Sequence, residues 1–135
     1  MKIVLDTNIF WVSIPRRAKT NWVFHEMLKG SFDLYLSSDI LQEYEEIIGN
    51  RLSKAAADAV LETLENLSNV HYTDVYYRWQ LITADPDDDK FVDCAIAGGC
   101  DYIVTNDRHF NVLKVIDFPP VKVINLEEFK TLLNI

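Results

Sequence analysis

Two aspartates in this chain stand where an apolar run stops. Ile3-Val4-Leu5 gives way to Asp6-Thr7-Asn8, and Tyr102-Ile103-Val104-Thr105 gives way to Asn106-Asp107. A continuous run of this kind marks a strand covered on both faces, as in a parallel α/β sheet. Such sheets bind ligands beyond the carboxyl ends of their strands. Those ends share one edge, so the two carboxylates can meet in one crevice. The plainer role open to Asp6 is to cap a following helix. Helices starting at the same edge bring further acids: Asp85-Pro86-Asp87-Asp88-Asp89 crowds the first turn of one, and Glu43 lies early in another.

Spacing narrows the candidates. Glu43 and Glu45 both flank the stripe of Ile40, Leu41, Tyr44, Ile47 and Ile48, while Glu46 points away. Periodicity does not choose between the first two, but a rise of ~1.5 Å per residue keeps Glu43 nearer the sheet edge. Asp89 and Asp93, four apart, share a helix face at a cost of only ~0.2–0.5 kcal/mol. Asp6, Asp89 and Asp107 in one crevice would repel far more strongly unless a cation or protons intervened. An oxygen-only ligand set suits Mg²⁺ or Mn²⁺ rather than zinc, and such ions activate water and stabilise leaving oxygens in phosphoryl chemistry. The acids therefore point either to a divalent-metal site for phosphodiesters or phosphates, or to a loosely acidic surface edge.

The elements that must position these residues follow from caps and periods. After the first strand, Ser13 to Lys19 reads as a loop carrying Arg16, Arg17 and Lys19. A helix over Asn21 to Lys29 stops at Gly30, where a C-cap belongs. Asp33 to Ser37 reads as a strand. Ser38 or Asp39 then caps a helix, with Gln42 in capping-box position and Gly49-Asn50 ending it. Ser53 to Leu67 is a further helix, Val70 to Val75 a short strand, and Tyr76 to Ile82 has no clear type. The Asp87–Asp89 run opens a helix to about Gly98 or Gly99. Tyr102 to Thr105 and Val121 to Ile124 are strands, and Asn125 with Glu128 caps a closing helix through Leu133. Strands alternating with helices predict a three-layer α/β/α sandwich around a mostly parallel sheet, with Rossmann-like topology. Residues 1–135 read as a single domain.

Composition bounds the function. The net charge is −8, whereas a chain gripping nucleic acid by phosphate neutralisation alone is basic. Cys94 and Cys100 lie in apolar surroundings, and His25, His71 and His109 are scattered, so neither a zinc spacing nor a disulfide framework is present. No apolar run approaches the ~20 residues of a membrane span, and no leader precedes the first strand, which points to a cytoplasmic protein with no membrane partner.

At four places in order the sequence resembles the PIN-domain family, and within it the PIN-domain toxins of toxin–antitoxin pairs. Asp6-Thr7-Asn8 is similar to the first acidic motif, and Leu41-Gln42-Glu43-Tyr44 with Ile47-Ile48 to the second. Asp85 through Ala95 resembles the third, and Gly99 through Asp107 the fourth, although Asn106 stands where the family often has Gly or Arg. The resemblance implies a ribonuclease dependent on Mg²⁺ or Mn²⁺, with Asp6, Glu43, Asp89 and Asp107 as metal-binding carboxylates. It also implies orienting roles for Asn8 and Thr105, with Asp93 one turn below Asp89 and able to reach metal-bound water. The implied partners are an RNA substrate, a cognate antitoxin and a second copy in a homodimer or higher oligomer. RNA contacts would then fall to Arg16, Arg17, Lys19, Arg78, Lys90 and Arg108.

Three other classes compete. A phosphoaspartyl phosphatase needs a second Asp two residues after the first, where this chain has Asn8. A receiver domain needs adjacent acids after its first strand and a Lys after a late one, and neither is present. A catalytically silent PIN-like module acting through metal binding and protein contacts would carry the same acids.

Overall fold

A computed structural model describes all 135 residues, Met1–Ile135. Five short strands, β1 (Lys2–Leu5), β2 (Asp33–Leu36), β3 (Val70–Tyr72), β4 (Tyr102–Val104) and β5 (Val123–Ile124), form one sheet in the order β3-β2-β1-β4-β5. Every pairing is parallel. β1 is central, which is why Ile3, Val4 and Leu5 are all apolar and wholly buried.

The chain steps from β1 to β2 to β3 in one direction and then returns past β1 to β4. Parallel crossovers are right-handed, so this reversal puts helices on opposite faces of the sheet. One face carries α1 (Thr7–Ser13), α2 (Asn21–Lys29), α3 (Ser38–Arg51) and α4 (Lys54–Asn66). On that face the Phe10 ring of α1 stacks on Tyr44 of α3 at 4.4 Å. The other carries α5 (Asp89–Ala97), whose Phe91 packs 6.3 Å from Phe110 of a 3₁₀ segment, Arg108–Val115. The closing helix α6 (Leu126–Leu132) returns to the first face, where Phe129 meets Trp22 and Phe32. This is the expected three-layer sandwich. No helix is long and apolar enough to cross a membrane.

Local differences from the sequence reading have identifiable causes. The opening motif continues directly into α1, so the expected loop begins only after Ser13. α3 runs through Gly49 and Asn50 to Arg51; Gly49 has no left-handed φ, and the Leu52 N–H closes the helix on the Ile48 carbonyl. Its cap is Ser37, whose hydroxyl accepts from the Ile40 N–H, in place of Ser38 or Asp39. Gly30 does adopt the left-handed C-cap, with φ 80°. β3 stops at Tyr72, three residues early, and β5 is confined to Val123–Ile124. A 3₁₀ turn, Pro86–Asp88, precedes α5, and the 3₁₀ segment after β4 was not anticipated.

One buried contact fixes α3 against the end of β1. Tyr44 is fully buried and its hydroxyl donates to the Leu5 carbonyl, immediately before Asp6. Tyr44→Phe keeps the ring stack and removes that donor, and it is expected to cost about 1–2 kcal/mol in urea unfolding. An unchanged midpoint would show that the carbonyl is satisfied elsewhere.

Candidate active site

β1 and β4 are neighbours whose crossovers leave in opposite directions, β1 toward β2 and β4 toward β5. Their carboxyl ends thus flank the topological switch point, where helices diverge and leave a crevice. Asp6 follows β1, and its N–H extends the ladder to the Val104 carbonyl at 3.1 Å. It occupies the cap position of α1 yet makes no capping hydrogen bond. Its carboxylate instead accepts from the Thr105 hydroxyl at 2.7 Å, while that hydroxyl oxygen accepts the Asp107 N–H at 3.0 Å. Thr105 therefore ties the two strand ends together. Burial raises the Asp6 carboxyl above its usual range, helped by the charges of Asp107 and Glu43 and opposed by the Thr105 bond. Thr105→Val leaves a buried carboxylate oxygen and an N–H without this partner, and about 1–3 kcal/mol of lost stability is expected in denaturant melts. A more stable variant would show the hydroxyl to be dispensable.

The 3₁₀ turn before α5 brings Asp88 toward this pair. Its side chain is 13% exposed, and Oδ2 is buried with no hydrogen-bond partner. Burial, reinforced by the charges of Asp85, Asp107 and Asp6, pushes its carboxyl up to about 7. His109 Nδ1 lies 3.5 Å from Asp107, 3.7 Å from Asp88 and 3.9 Å from Asp85. Ligand atoms of Asp85, Asp88 and His109 all fall within 4.8 Å of one another, close enough to hold a metal ion. The sequence reading left all three histidines away from the acids. The 3₁₀ segment that begins at Arg108 folds His109 back onto them, and Asp107 caps it by accepting the His109 N–H at 2.9 Å.

Glu43 is the half-buried acid of its trio, whereas Glu45 and Glu46 are exposed. The Thr7 hydroxyl donates to Glu43 Oε2, and Lys90 Nζ lies 2.9 Å from Oε1. Both oxygens of Glu43 are thus held, one by the residue after Asp6 and one by the first turn of α5. Glu43 and Lys90 line a cleft of about 490 Å³ with Asp89, Asp93, Arg78 and Gln80.

Asp89 and Asp93 line the Glu43 cleft and also hold backbone N–H groups. The charges of Asp107 and Glu43 raise the Asp6 carboxyl, those of Asp85, Asp107 and Asp6 raise that of Asp88 against His109, and that of Asp89 raises Asp93 against Arg78. Asp89 accepts the Ile82 N–H at 2.9 Å and Asp93 the Trp79 N–H at 3.0 Å. They suspend the irregular segment 73–83, which turns at Gln80 with φ 54° and buries Ile82. Burial raises the Asp93 carboxyl, against the pull of the Trp79 N–H. Asn8 lies beside Asp6 and Asp107, but its side-chain oxygen accepts from Trp11 Nε1 at 3.3 Å. Arg16, Arg17, Lys19 and Arg108 are exposed, and Arg78 pairs loosely with Asp39 at 3.8 Å.

Residues 2–109 match the family model described as PIN domain. A chain in the crystal structure of VapBC2 from Rickettsia felis bound to a DNA fragment from their promoter shares this fold. The TM-score is 0.62 at 21% sequence identity, over 93% of this chain and 98% of that one. No curated protein matches the sequence.

Proposed function

The chain belongs to the PIN-domain family, and from that premise we propose that it is a metal-dependent ribonuclease hydrolysing RNA phosphodiester bonds, the toxin of a toxin–antitoxin pair. The observation that carries this reading is the crevice between β1 and β4. There Asp6 and Asp107 are bridged by Thr105, and the unpartnered Asp88 Oδ2 lies within their field. The fold shared with the VapBC2 structure supports the toxin assignment. In this reading the further partners are a cognate antitoxin and a second copy of the chain.

The residues present fit a hard divalent cation. A buried carboxylate oxygen without a donor is what a cation satisfies, and the donors around it are chiefly carboxylates, as Mg²⁺ or Mn²⁺ prefers. Asp6, Asp107 and Asp88 would hold the ion, with Glu43 reaching it from the α3 side. Asp89 and Asp93, which the motif resemblance sets among the ligands, each accept a backbone N–H of segment 79–82 through Oδ1 and line the cleft beside Glu43. The chemistry such an ion supplies when bound is charge neutralisation at phosphate oxygens and acidification of a water.

The chain's own groups do the positioning. Thr105 fixes Asp6 Oδ2 and, through the Asp107 N–H, the angle between the two strand ends. Thr7 and Lys90 hold the Glu43 carboxylate between them. Lys90, whose side chain is 17% exposed and paired with Glu43, lines the cleft with Arg78, and these two cations would meet a phosphate oxygen there. The net charge of −8 leaves little general attraction for RNA, so affinity depends on such local contacts.

Incubating a mixed RNA pool with the protein in Mn²⁺, Mg²⁺ or EDTA tests the proposal. Cleavage is expected with either ion and none in EDTA. Intact RNA under every condition, alongside a metal-induced rise in melting temperature, would favour the silent PIN-like alternative.

A further inference from the structure

The ring of His109 faces three carboxylates and hydrogen-bonds to none of them. Its Nδ1 lies 3.5 Å from Asp107 Oδ1, 3.7 Å from Asp88 Oδ2 and 3.9 Å from Asp85 Oδ2, beyond the reach of a good N–H···O bond. His71 shows the ordinary alternative, with Nε2 2.9 Å from Asp33 Oδ1. Asp88 Oδ2 is the buried oxygen that also lacks a partner. An imidazole nitrogen and a carboxylate oxygen, each without a hydrogen bond, thus face one another across a gap.

The backbone sets this arrangement. Asp107 caps the 3₁₀ segment by accepting the His109 N–H at 2.9 Å, which fixes where the imidazole leaves the chain. Asp85 caps the turn Pro86–Asp88 through Oδ1, which accepts the Asp87 N–H at 3.1 Å, and its Oδ2 is the oxygen turned toward His109. The spacing is close to that of donors around an ion. Atoms bonded at ~2.0–2.2 Å to a tetrahedral centre stand roughly 3.3–3.6 Å apart. Ligand atoms of Asp85, Asp88 and His109 lie within 4.8 Å of one another, and small side-chain movements close the difference.

We propose that His109 is a metal ligand of the crevice, completing with Asp85 and Asp88 a mixed nitrogen–oxygen set that selects transition-metal ions over Mg²⁺. The proposal rests on the metal-dependent reading of the site and deepens it. Asp107 joins this set to Asp6 through the Thr105 hydroxyl. Carboxylates alone serve Mg²⁺ and Mn²⁺ alike. An imidazole separates them, because it suits Zn²⁺ and the transition ions, whereas Mg²⁺ dehydrates reluctantly and keeps to oxygen donors. A nitrogen donor at this exposed edge therefore shifts preference toward Zn²⁺ first and Mn²⁺ second.

The test is calorimetric titration of the full chain, without RNA, using Zn²⁺, Mn²⁺ and Mg²⁺ at one mildly alkaline pH where imidazole is neutral. Wild type is compared with His109→Ala, which keeps the backbone N–H that Asp107 accepts; melts check its folding. Losing a group that merely orients a ligand already costs roughly 10–100-fold in affinity. Losing the ligand itself is expected to weaken Zn²⁺ about a hundredfold or more, Mn²⁺ about tenfold, and Mg²⁺ less than about threefold. A direct signature accompanies these values. The chain has three histidines, and in NMR spectra one imidazole should shift on adding diamagnetic Zn²⁺, the one whose signals are missing from His109→Ala.

The proposal is overturned if Zn²⁺ binds without moving the His109 signals. It is also overturned if His109→Ala weakens all three ions equally, as a purely structural residue would, or leaves them unchanged. If RNA is cleaved with Mg²⁺ or Mn²⁺ while His109→Ala keeps the wild-type ion preference, this inference fails alone. If no RNA is cleaved yet the preference depends on His109, the ribonuclease reading fails alone. If wild type binds no divalent ion, both fail together.

Discussion

Asp6→Asn is expected to abolish RNA cleavage, lowering kcat by at least about a thousandfold while the protein still folds. The substitution keeps the shape of the side chain and its contact with Thr105, but removes the charge that an ion needs at the switch point. Asp107→Asn and Asp88→Asn should act comparably, because the same crevice requires all three carboxylates. Asp89→Asn is the informative contrast. An asparagine oxygen still accepts the Ile82 N–H, so most of the activity should remain. Initial rates at saturating Mn²⁺ on one RNA, with melts to verify folding, decide the matter. If Asp89→Asn is as inactive as Asp6→Asn while Asp88→Asn is active, the assignment of the third carboxylate reverts to Asp89.

The second large effect is on stability, and its sign follows from the Asp88 carboxyl. In the unfolded chain it ionises near ~4; in the fold, burial and neighbouring charges push it up to about 7. The folded state therefore binds this proton more tightly, and metal-free protein loses stability as pH rises from about 4 through about 7. Asp88→Asn removes the penalty. In EDTA the variant should match wild type near pH 4 and melt roughly 3–8 °C higher at pH 8, on the order of 1–2 kcal/mol after allowing for water at the carboxylate. Saturating Mn²⁺ should reverse the order at pH 8, since a ligand of the native state adds ~2.7 kcal/mol at a hundred times its Kd. A variant that melts below wild type at pH 8 in EDTA would mean that Asp88 is not repelled by its neighbours.

The parts of the site on strands could be read from the sequence, and the parts on 3₁₀ turns could not. Asp6 and Asp107 each follow a continuous buried apolar run, and the first polar residues after such a run mark where the strand stops. Periodicity did not separate Glu43 from Glu45; helical rise and the motif resemblance did, and the Glu43 side chain is the one turned inward, onto Thr7 and Lys90. Asp88 was hidden among three consecutive aspartates. A turn of Pro86–Asp88 advances ~120° per residue where α5 advances ~100°, so no helical wheel could phase the run. His109 was lost for the same reason, two residues past Asp107 in an unanticipated 3₁₀ segment. Segment 76–82 resisted typing because it has no period: its backbone partners are the side chains of Asp89 and Asp93 rather than a ladder of its own.

The bond between Thr105 and Asp6 spans 99 positions of sequence. The central strand is the first to be synthesised, but its functional neighbour β4 comes after β2, β3 and five helices. A chain emerges from the ribosome at ~5–20 residues per second, so several seconds separate Asp6 from Asp107. Throughout that interval β1 can pair with β2 on one side only, and the nascent polypeptide carries half a crevice, with no Asp107 carboxylate beside Asp6. On the proposed ribonuclease reading, a chain built in this order would stay inert beside the messenger and ribosome that make it, and cleavage would become possible only once nearly the whole polypeptide is available to fold.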